Sequence, residues 1–231
     1  MLSKEKVIFC WSGGKDSALA LYKILQDDAY EIIGLLTTIN KKYKRVSMHG
    51  VREELIEQQA KSIDLPLIKM YVTDATYNEY EIEMEKILLN YQKQGVNKII
   101  FGDIFLEDLR TYRESNLKKI GMKAEFPLWK KDTRELIKFF FELGFQTIVC
   151  CVNDANLSED RVGVELDKKY INNLPENVDP CGENGEFHTY CYAGPIFKYP
   201  IKFIVGEKIY KPLADKLQNS NTKGFWYCDL L

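Results

Sequence analysis

The stretch VIFCWSGGKDSALALYKIL, residues 7–25, decides the fold. Its first five residues, Val7, Ile8, Phe9, Cys10 and Trp11, form the continuous apolar run expected of a parallel strand covered on both faces. Ser12-Gly13-Gly14 ends that run. Adjacent glycines let the backbone take positive φ and turn N–H groups inward with no Cβ in the way, which makes a concavity for an anion. Asp16 and Ser17 stand at a helix start, and Ala18, Leu19, Leu21, Tyr22 and Leu25 give that helix an apolar stripe. The positive end of its dipole then faces whatever the glycines hold.

Lys15 adds a cation to this loop and Asp16 a carboxylate beside it, a pair suited to a polyphosphate and its magnesium ion. A ligand-free turn between strand and helix would leave both unexplained. The spacing is neither GxxxxGK[ST] nor GxGxxG. SGGKDS resembles instead the PP-loop of ATP pyrophosphatases, which cleave ATP between the α and β phosphates. That resemblance implies that Ser12, Gly13, Gly14, Lys15, Asp16 and Ser17 bind ATP.

Working outward, strands are read over residues 31–39, 67–72, 98–101 and 145–152, and helices over 51–63, 77–94, 107–121 and 133–143. Alternation of this kind over residues 5–152 predicts an α/β fold, a Rossmann-like, doubly wound parallel sheet with helices on both faces. Ligands of such sheets lie at the carboxyl ends of the strands. This selects Thr37 at the end of the second strand and Gly102 and Asp103 at the end of the fourth, with Asp103 joining Asp16 as a magnesium ligand. His49, in the polar loop 40–50, is a candidate phosphate or ribose contact, whereas the lysines of that loop read as solvated. From Asn153 the alternation gives way to mixed helix and loop. The expected division is an ATP-binding domain, 1–152, and a smaller C-terminal α+β domain, 153–231, packed on it.

Composition narrows the class. The chain has 231 residues, 45% hydrophobic and 29% charged, with 32 Lys+Arg against 34 Asp+Glu and a net charge of -2, so it lacks the basic footprint of a nucleic-acid binder. No secretory or transit signal and no membrane-length apolar run is evident, which leads to the expectation of a cytoplasmic protein. Six cysteines occur with no CxxC spacing, and Cys150-Cys151 lie in an apparent strand, so buried reduced thiols are expected rather than zinc or redox chemistry. Whether the chain forms a homo-oligomer is left open.

A second cluster stands at residues 182–189, GENGEFHT, where Glu183, Glu186, His188 and Thr189 gather before an aromatic strand. Carboxylates with an imidazole can recognise a cation or manage the proton that an attacking amine loses. SGGKDS, GDI with the later Arg113-Glu114, PLW at 127–129, Gly144-Phe145 and GENGEFHT with the following GPIF together resemble the diphthine:ammonia ligase (diphthamide synthetase) family of N-type ATP pyrophosphatases. The family pattern is GE-x-GE-[FY]-H-T, and the likeness runs over residues 6–197. It implies an ATP- and Mg2+-dependent ligase. An acceptor carboxylate, in the family diphthine on elongation factor 2 of archaea and eukaryotes, attacks the α-phosphate, pyrophosphate leaves, and ammonia converts the acyl-adenylate into an amide and AMP. Lys15, Asp16, Glu183, Glu186 and His188 would then be catalytic, and Arg113, Trp129, Glu183, Glu186 and Thr189 would face the substrate. One departure is FLEDL at 105–109, where the family has a Ser-Asp-Tyr type sequence, so the acceptor side is expected to differ. Rings of Trp129, Phe187 and Tyr190 beside Glu183 or Glu186 could box a quaternary ammonium. A PP-loop tRNA-modifying enzyme and a non-catalytic ATP sensor are the alternatives. The first calls for a basic face or CxxC pairs, and the second leaves residues 183–189 without a task.

Overall fold

A computed structural model describes residues 4–73, 77–213 and 222–231. Strand β1 (Glu5–Cys10) alternates its side chains as a pleated strand must, with Val7 and Phe9 entering one core and Ile8 another. Helix α1 (Lys15–Leu25) returns the chain to β2 (Tyr30–Asn40), which turns at its end into the two-residue antiparallel β3 (Arg45–Val46). Helix α2 (Glu53–Ile63), β4 (Leu67–Val72), α3 (Tyr77–Gln92) and β5 (Lys98–Ile100) follow, and α4 (Glu107–Lys119) leads to β6 (Lys123–Glu125). Parallel pairing of β1 with β2 and β5, of β2 with β4, and of β5 with β6 sets the spatial order β4-β2-β1-β5-β6. The order reverses between β1 and β5, which opens a crevice beyond their carboxyl ends.

Helices cover both faces of this sheet. Leu88 of α3 and Leu117 of α4 pack with Ile8, Met70 and Ile99 on one side. Leu21 of α1, Ile56 of α2 and Phe140 of α5 (Thr133–Glu142) pack with Val7 and Phe9 on the other. That second core continues without a break into an antiparallel sheet of order β8-β7-β10-β9, made of β7 (Gln146–Asn153), β8 (Phe187–Ala193), β9 (Val205–Pro212) and β10 (Gly224–Leu230); the five-residue α6 (Lys168–Asn172) lies between β7 and β8.

The doubly wound sheet and the smaller second sheet match the expected architecture. One strand is reassigned. Residues 145–152 were expected as the fifth parallel strand, but β7 pairs antiparallel with β8 and β10, so the second sheet begins on the N-terminal side of a division at 152. The apolar run QTIVCCVN is buried on both faces in either setting, and burial is what its composition reports. Strands β9 and β10 occupy a tail in which no element was expected, and β6 was not anticipated either. Among the described residues no helix is long and apolar enough to cross a membrane.

Candidate active site

Strand β1 delivers the chain to the crevice, where the N–H of Trp11 still bonds the carbonyl of Leu36 at 2.8 Å before the loop leaves the sheet. Gly13 turns with φ of +82°, and Gly14 is the extended N-cap residue of α1, whose first turn carries no side-chain cap. A Cβ on Gly14 would sit 2.8 Å from Cε1 of His49 and 3.0 Å from the carbonyl oxygen of Thr189, so only glycine lets these segments close on the loop. The loop is tied internally by Ser12 to Ser17 at 3.1 Å and by Ser17 to the Gly14 carbonyl at 2.9 Å. What remains is a helix N-terminus that its own N-cap residue leaves uncapped, beside an ammonium, an arrangement suited to phosphate.

Strand β8 brings the second cluster to the same place. The Lys15 N–H donates to Oγ1 of Thr189 at 3.0 Å, and the Cys191 N–H donates to the Gly13 carbonyl at 2.8 Å. Gln59, fully buried on α2, bridges the two segments: Nε2 donates to the carbonyls of Gly13 (2.9 Å) and Cys191 (2.6 Å), and Oε1 accepts from the Trp11 indole (2.9 Å). The Lys15 side chain is 3% exposed, pairs with Asp16 at 2.8 Å, bonds the Cys181 carbonyl and lies 5.0 Å from the centre of the Phe187 ring. Burial works most strongly against its charge, but Asp16 beside it, together with Cys181 and Glu183, leaves the ammonium pKa raised.

The acidic loop is folded by Asp179. Its Oδ1 accepts from the N–H groups of Cys181 (2.8 Å) and Glu183 (3.3 Å), and Oδ2 accepts from the Thr133 hydroxyl (2.7 Å). Glu183 reaches across the switch point, where Oε1 accepts from the N–H groups of Ile104 (2.7 Å) and Phe105 (3.3 Å). Burial, then the Asp16 charge, raises its pKa to about 7. Glu186 turns the other way. It is 1% exposed and accepts at Oε1 from the Asp179 N–H and the Asn184 amide, both at 3.0 Å, so it braces the loop from behind. The rings of His49 and His188 are tilted at 39° to each other, centres 4.8 Å apart, with Nδ1 of His49 at 3.0 Å from the Thr189 carbonyl. Burial lowers the His49 pKa to about 4 and drives that of His188 well below its ordinary value, so both are neutral imidazoles.

A cleft of about 870 Å³ joins these groups, large enough for a nucleotide and a second substrate. Ser12, Lys15, Asp16, Ser17, His49, Gly102, Asp103, Arg113, Glu183, His188 and Thr189 line it, so most of the selected residues meet there. Asp103 and Arg113 face each other in it as an ion pair, Nε to Oδ2 2.8 Å and Nη2 to Oδ1 3.1 Å. Gly13 and Gly14 do not line it; Gly13 accepts from the Cys191 N–H and Gly14 leaves room for His49 and Thr189, which shapes the loop beside it.

Three selected side chains also do not reach the cleft. Thr37 is fully buried and donates to the Trp11 carbonyl, while its neighbour Thr38 lines the cleft, because adjacent strand residues face opposite ways. Glu186 is taken by the loop. Trp129 packs on Phe126, 5.6 Å between ring centres, under the guanidinium of Arg110. The aromatic box therefore does not form: Tyr190 is fully buried with its hydroxyl on the Leu55 carbonyl, and only Phe187 of the three rings borders the cleft. Gln59 and Asp179 were missed. A glutamine on the apolar face of a helix, four residues after Leu55, and an aspartate opening a Pro-Cys-Gly turn were the available signals.

Family models describe two matches to the chain, a diphthamide synthase N-terminal domain over residues 5–124 and a diphthamide synthase C-terminal domain over residues 132–220. Among curated relatives, the diphthine–ammonia ligase of Schizosaccharomyces pombe is 26% identical over 84% of the chain, which spans only 35% of that protein. The diphthine–ammonia ligase of Bos taurus is 26% identical over 82% of the chain and 79% of its own length. A solved structure described as a predicted subunit of a tRNA methyltransferase from Methanocaldococcus jannaschii superposes on 62% of the chain with a TM-score of 0.43 and 17% identity, too loosely to support an argument.

Proposed function

The chain belongs to the diphthamide synthase family, and from that premise we propose that it is an ATP-dependent amide ligase that joins ammonia to an acceptor carboxylate, releasing AMP and pyrophosphate. The observation that carries this reading is the meeting of residues 12–17 and 182–189 in one cleft, sealed by the Lys15 N–H to Thr189 bond. A nucleotide site alone would need only the first segment.

In this reading the ATP phosphates lie on the loop Ser12–Ser17 and the N-terminus of α1, where backbone N–H groups and the Lys15 ammonium offset the charge that develops as pyrophosphate departs. Adenosine takes the side of the cleft walled by Leu36, Thr38, Met48 and Val72. The acceptor takes the opposite side, by Asp103, Arg113 and Glu183, so that its carboxylate reaches the α-phosphate over the loop between them. The chemistry of the donors fits a magnesium ion at one point. Asp16 is a partly exposed carboxylate beside the phosphate loop, whereas Asp103 is already held by Arg113 through both oxygens. Asp16 would hold the ion together with the phosphates, and the ion would neutralise charge on them.

The acceptor we favour is diphthine on elongation factor 2, and the cell compartment we favour is the cytoplasm, in keeping with six unpaired cysteines. The test is pyrophosphate release over a set of acids, with and without ammonium, including elongation factor 2 that carries diphthine. Release that requires both one acid and ammonium supports the ligase. Stable ATP binding without release under every condition would make the chain a sensor, and release dependent on tRNA would make it a tRNA-modifying enzyme.

A further inference from the structure

The ligase reading draws on no residue beyond Thr189, yet strand β10 reaches back to the wall of the cleft against which adenosine is placed. That wall is closed by residues 45–52, a tight loop whose ends pair antiparallel, Arg45 opposite Arg52. Ser47, Met48 and His49 at its tip line the cleft. The loop is not relaxed: Met48 takes φ of +64°, in the left-handed region that side chains with a Cβ rarely adopt, and Gly50 follows at +71°. Such a conformation persists where the surroundings over-determine it. From within the cleft, Nδ1 of His49 lies 3.0 Å from the Thr189 carbonyl. The outer fastening comes from β10. Arg45 and Arg52 by themselves would push the ends of the loop apart, since like charges opposite one another on paired strands repel. Asp229 joins them: Oδ1 accepts from Nη1 of Arg45 (2.8 Å) and Nε of Arg52 (3.0 Å), and Oδ2 accepts from Nη2 of Arg52 (2.7 Å). Nη1 of Arg45 also donates to the Gly50 carbonyl at 2.8 Å. Two residues back, on the same face of the strand, the Tyr227 ring lies so close to Gly50 that a Cβ there would sit 2.6 Å from its Cδ1. The Asp229 side chain is only 15% exposed, so solvent screens the bridge little.

Resting on the placement of ATP in the ligase reading, we propose that Asp229 is a positioning residue for the nucleotide: by joining the two ends of loop 45–52 from outside the cleft, it keeps Met48 and His49 against ATP. Asp229 itself touches no substrate. Without its carboxylate two guanidinium groups face each other across the neck of the loop, and opening that neck releases Met48 from its left-handed conformation and draws the wall away from the nucleotide. The second sheet thereby serves the nucleotide site at two points. Strand β8 meets the phosphate loop through Thr189 and Cys191, and β10 holds the adenosine wall through Tyr227 and Asp229.

The experiment measures the dissociation constant of ATP by calorimetry on the full chain, for the parent, Asp229→Asn, Arg52→Gln, the double variant of these two, and Asp154→Asn. Asp154 accepts from the Tyr210 hydroxyl and the Lys223 N–H beside the start of β10, so its variant loosens the same sheet without touching the loop. Asp229→Asn is expected to weaken ATP about tenfold, as affinity falls when the competent loop is populated roughly a tenth of the time. Amide hydrogen exchange should quicken in residues 45–52 and not across the rest of the chain. Arg52→Gln should weaken ATP about threefold in the parent but strengthen it in Asp229→Asn, where it removes one of two facing charges; this reversal of sign is what a general loss of stability does not produce. Asp154→Asn should stay within about twofold of the parent. Unchanged affinity in Asp229→Asn, an equal loss in Asp154→Asn, or exchange quickened throughout the chain overturns the proposal. If Asp229→Asn does not fold, Arg52→Gln, altered at a half-exposed side chain, decides alone, and unchanged affinity there overturns it. A parent that binds ATP while the variants lose nothing overturns this role only, whereas a parent that binds no ATP overturns the nucleotide reading with it.

Discussion

The bridge made by Gln59 gives the sharpest structural prediction. Replacing it by methionine keeps a long unbranched side chain in a fully buried position and removes every hydrogen bond it makes. The Gly13 carbonyl keeps its bond from the Cys191 N–H, but the Trp11 indole N–H and the Cys191 carbonyl are left buried and unpaired. Each such group costs about 1–3 kcal/mol, so Gln59→Met is expected to lose about 3 kcal/mol of stability. For a chain of this length that corresponds to a fall of roughly 6–12 °C in Tm. Urea unfolding followed by tryptophan fluorescence measures it, with an unchanged slope showing that the midpoint shift is a stability change. Gln59→Glu provides a second arm. An ionised carboxylate there would face two carbonyl oxygens, so this variant should be less stable at pH 8 than at pH 5 relative to the parent. Since the bridge ties the nucleotide loop to β8, ATP binding by Gln59→Met should also weaken. A loss below about 0.5 kcal/mol, with ATP affinity unchanged, would refute the reasoning.

Further outcomes follow from the site. Lys15→Ala should lose at least about 100-fold in pyrophosphate release, because a buried charge beside the phosphates acts where solvent screens it little; unchanged turnover would remove the lysine from the site. Trp129→Leu should leave the KM for the acceptor within about twofold while lowering the urea midpoint, since the ring serves the core under α4. Glu183 has a folded pKa above its ordinary value, so the native state binds more protons than the unfolded state between about pH 4.5 and 7 and loses stability as pH rises through that window. Glu183→Gln should therefore gain stability relative to the parent on going from pH 4.5 to pH 7.5, by on the order of 1–3 kcal/mol in urea melts; a flat difference would show that the carboxyl is not shifted. Asp229 is the opposite case. Hydrogen bonds from Arg52, then from Arg45, hold its carboxyl well below the usual range, so its contribution is present at pH 7 and is lost as pH falls below about 4. Asp229→Asn should destabilise the chain at pH 7 and lose that effect in acid.

The N-terminal unit was legible because its information is local. An apolar run, two glycines and an amphipathic period sit within residues 7–25, and nothing distant is needed to read them. Meeting of the two clusters was readable only through chemistry, since carboxylates and an imidazole in one loop call for a partner. What stayed hidden was orientation. Glu183 and Glu186 are three residues apart in one loop, and it is the positive-φ turns at Gly182 and Gly185 and the donors Ile104 and Asn184 that send one into the cleft and the other behind it. Thr37 and Thr38 differ by the same one-residue ambiguity of facing. Strand β7 reads as central in either sheet, so its partners could not be inferred from composition. Strand β9 is exposed along nearly its whole length and shows no inward alternation, which leaves a pattern reader nothing to count.

The central claim is that an acceptor carboxylate attacks the α-phosphate of ATP held on residues 12–17. Oxygen-18 in the acceptor carboxylate tests it most directly. The account predicts that one labelled oxygen appears in AMP, with amide, AMP and pyrophosphate formed in equal amounts and only when ammonium is supplied. Label found in inorganic phosphate beside ADP, or AMP formed with no label at all, would contradict it.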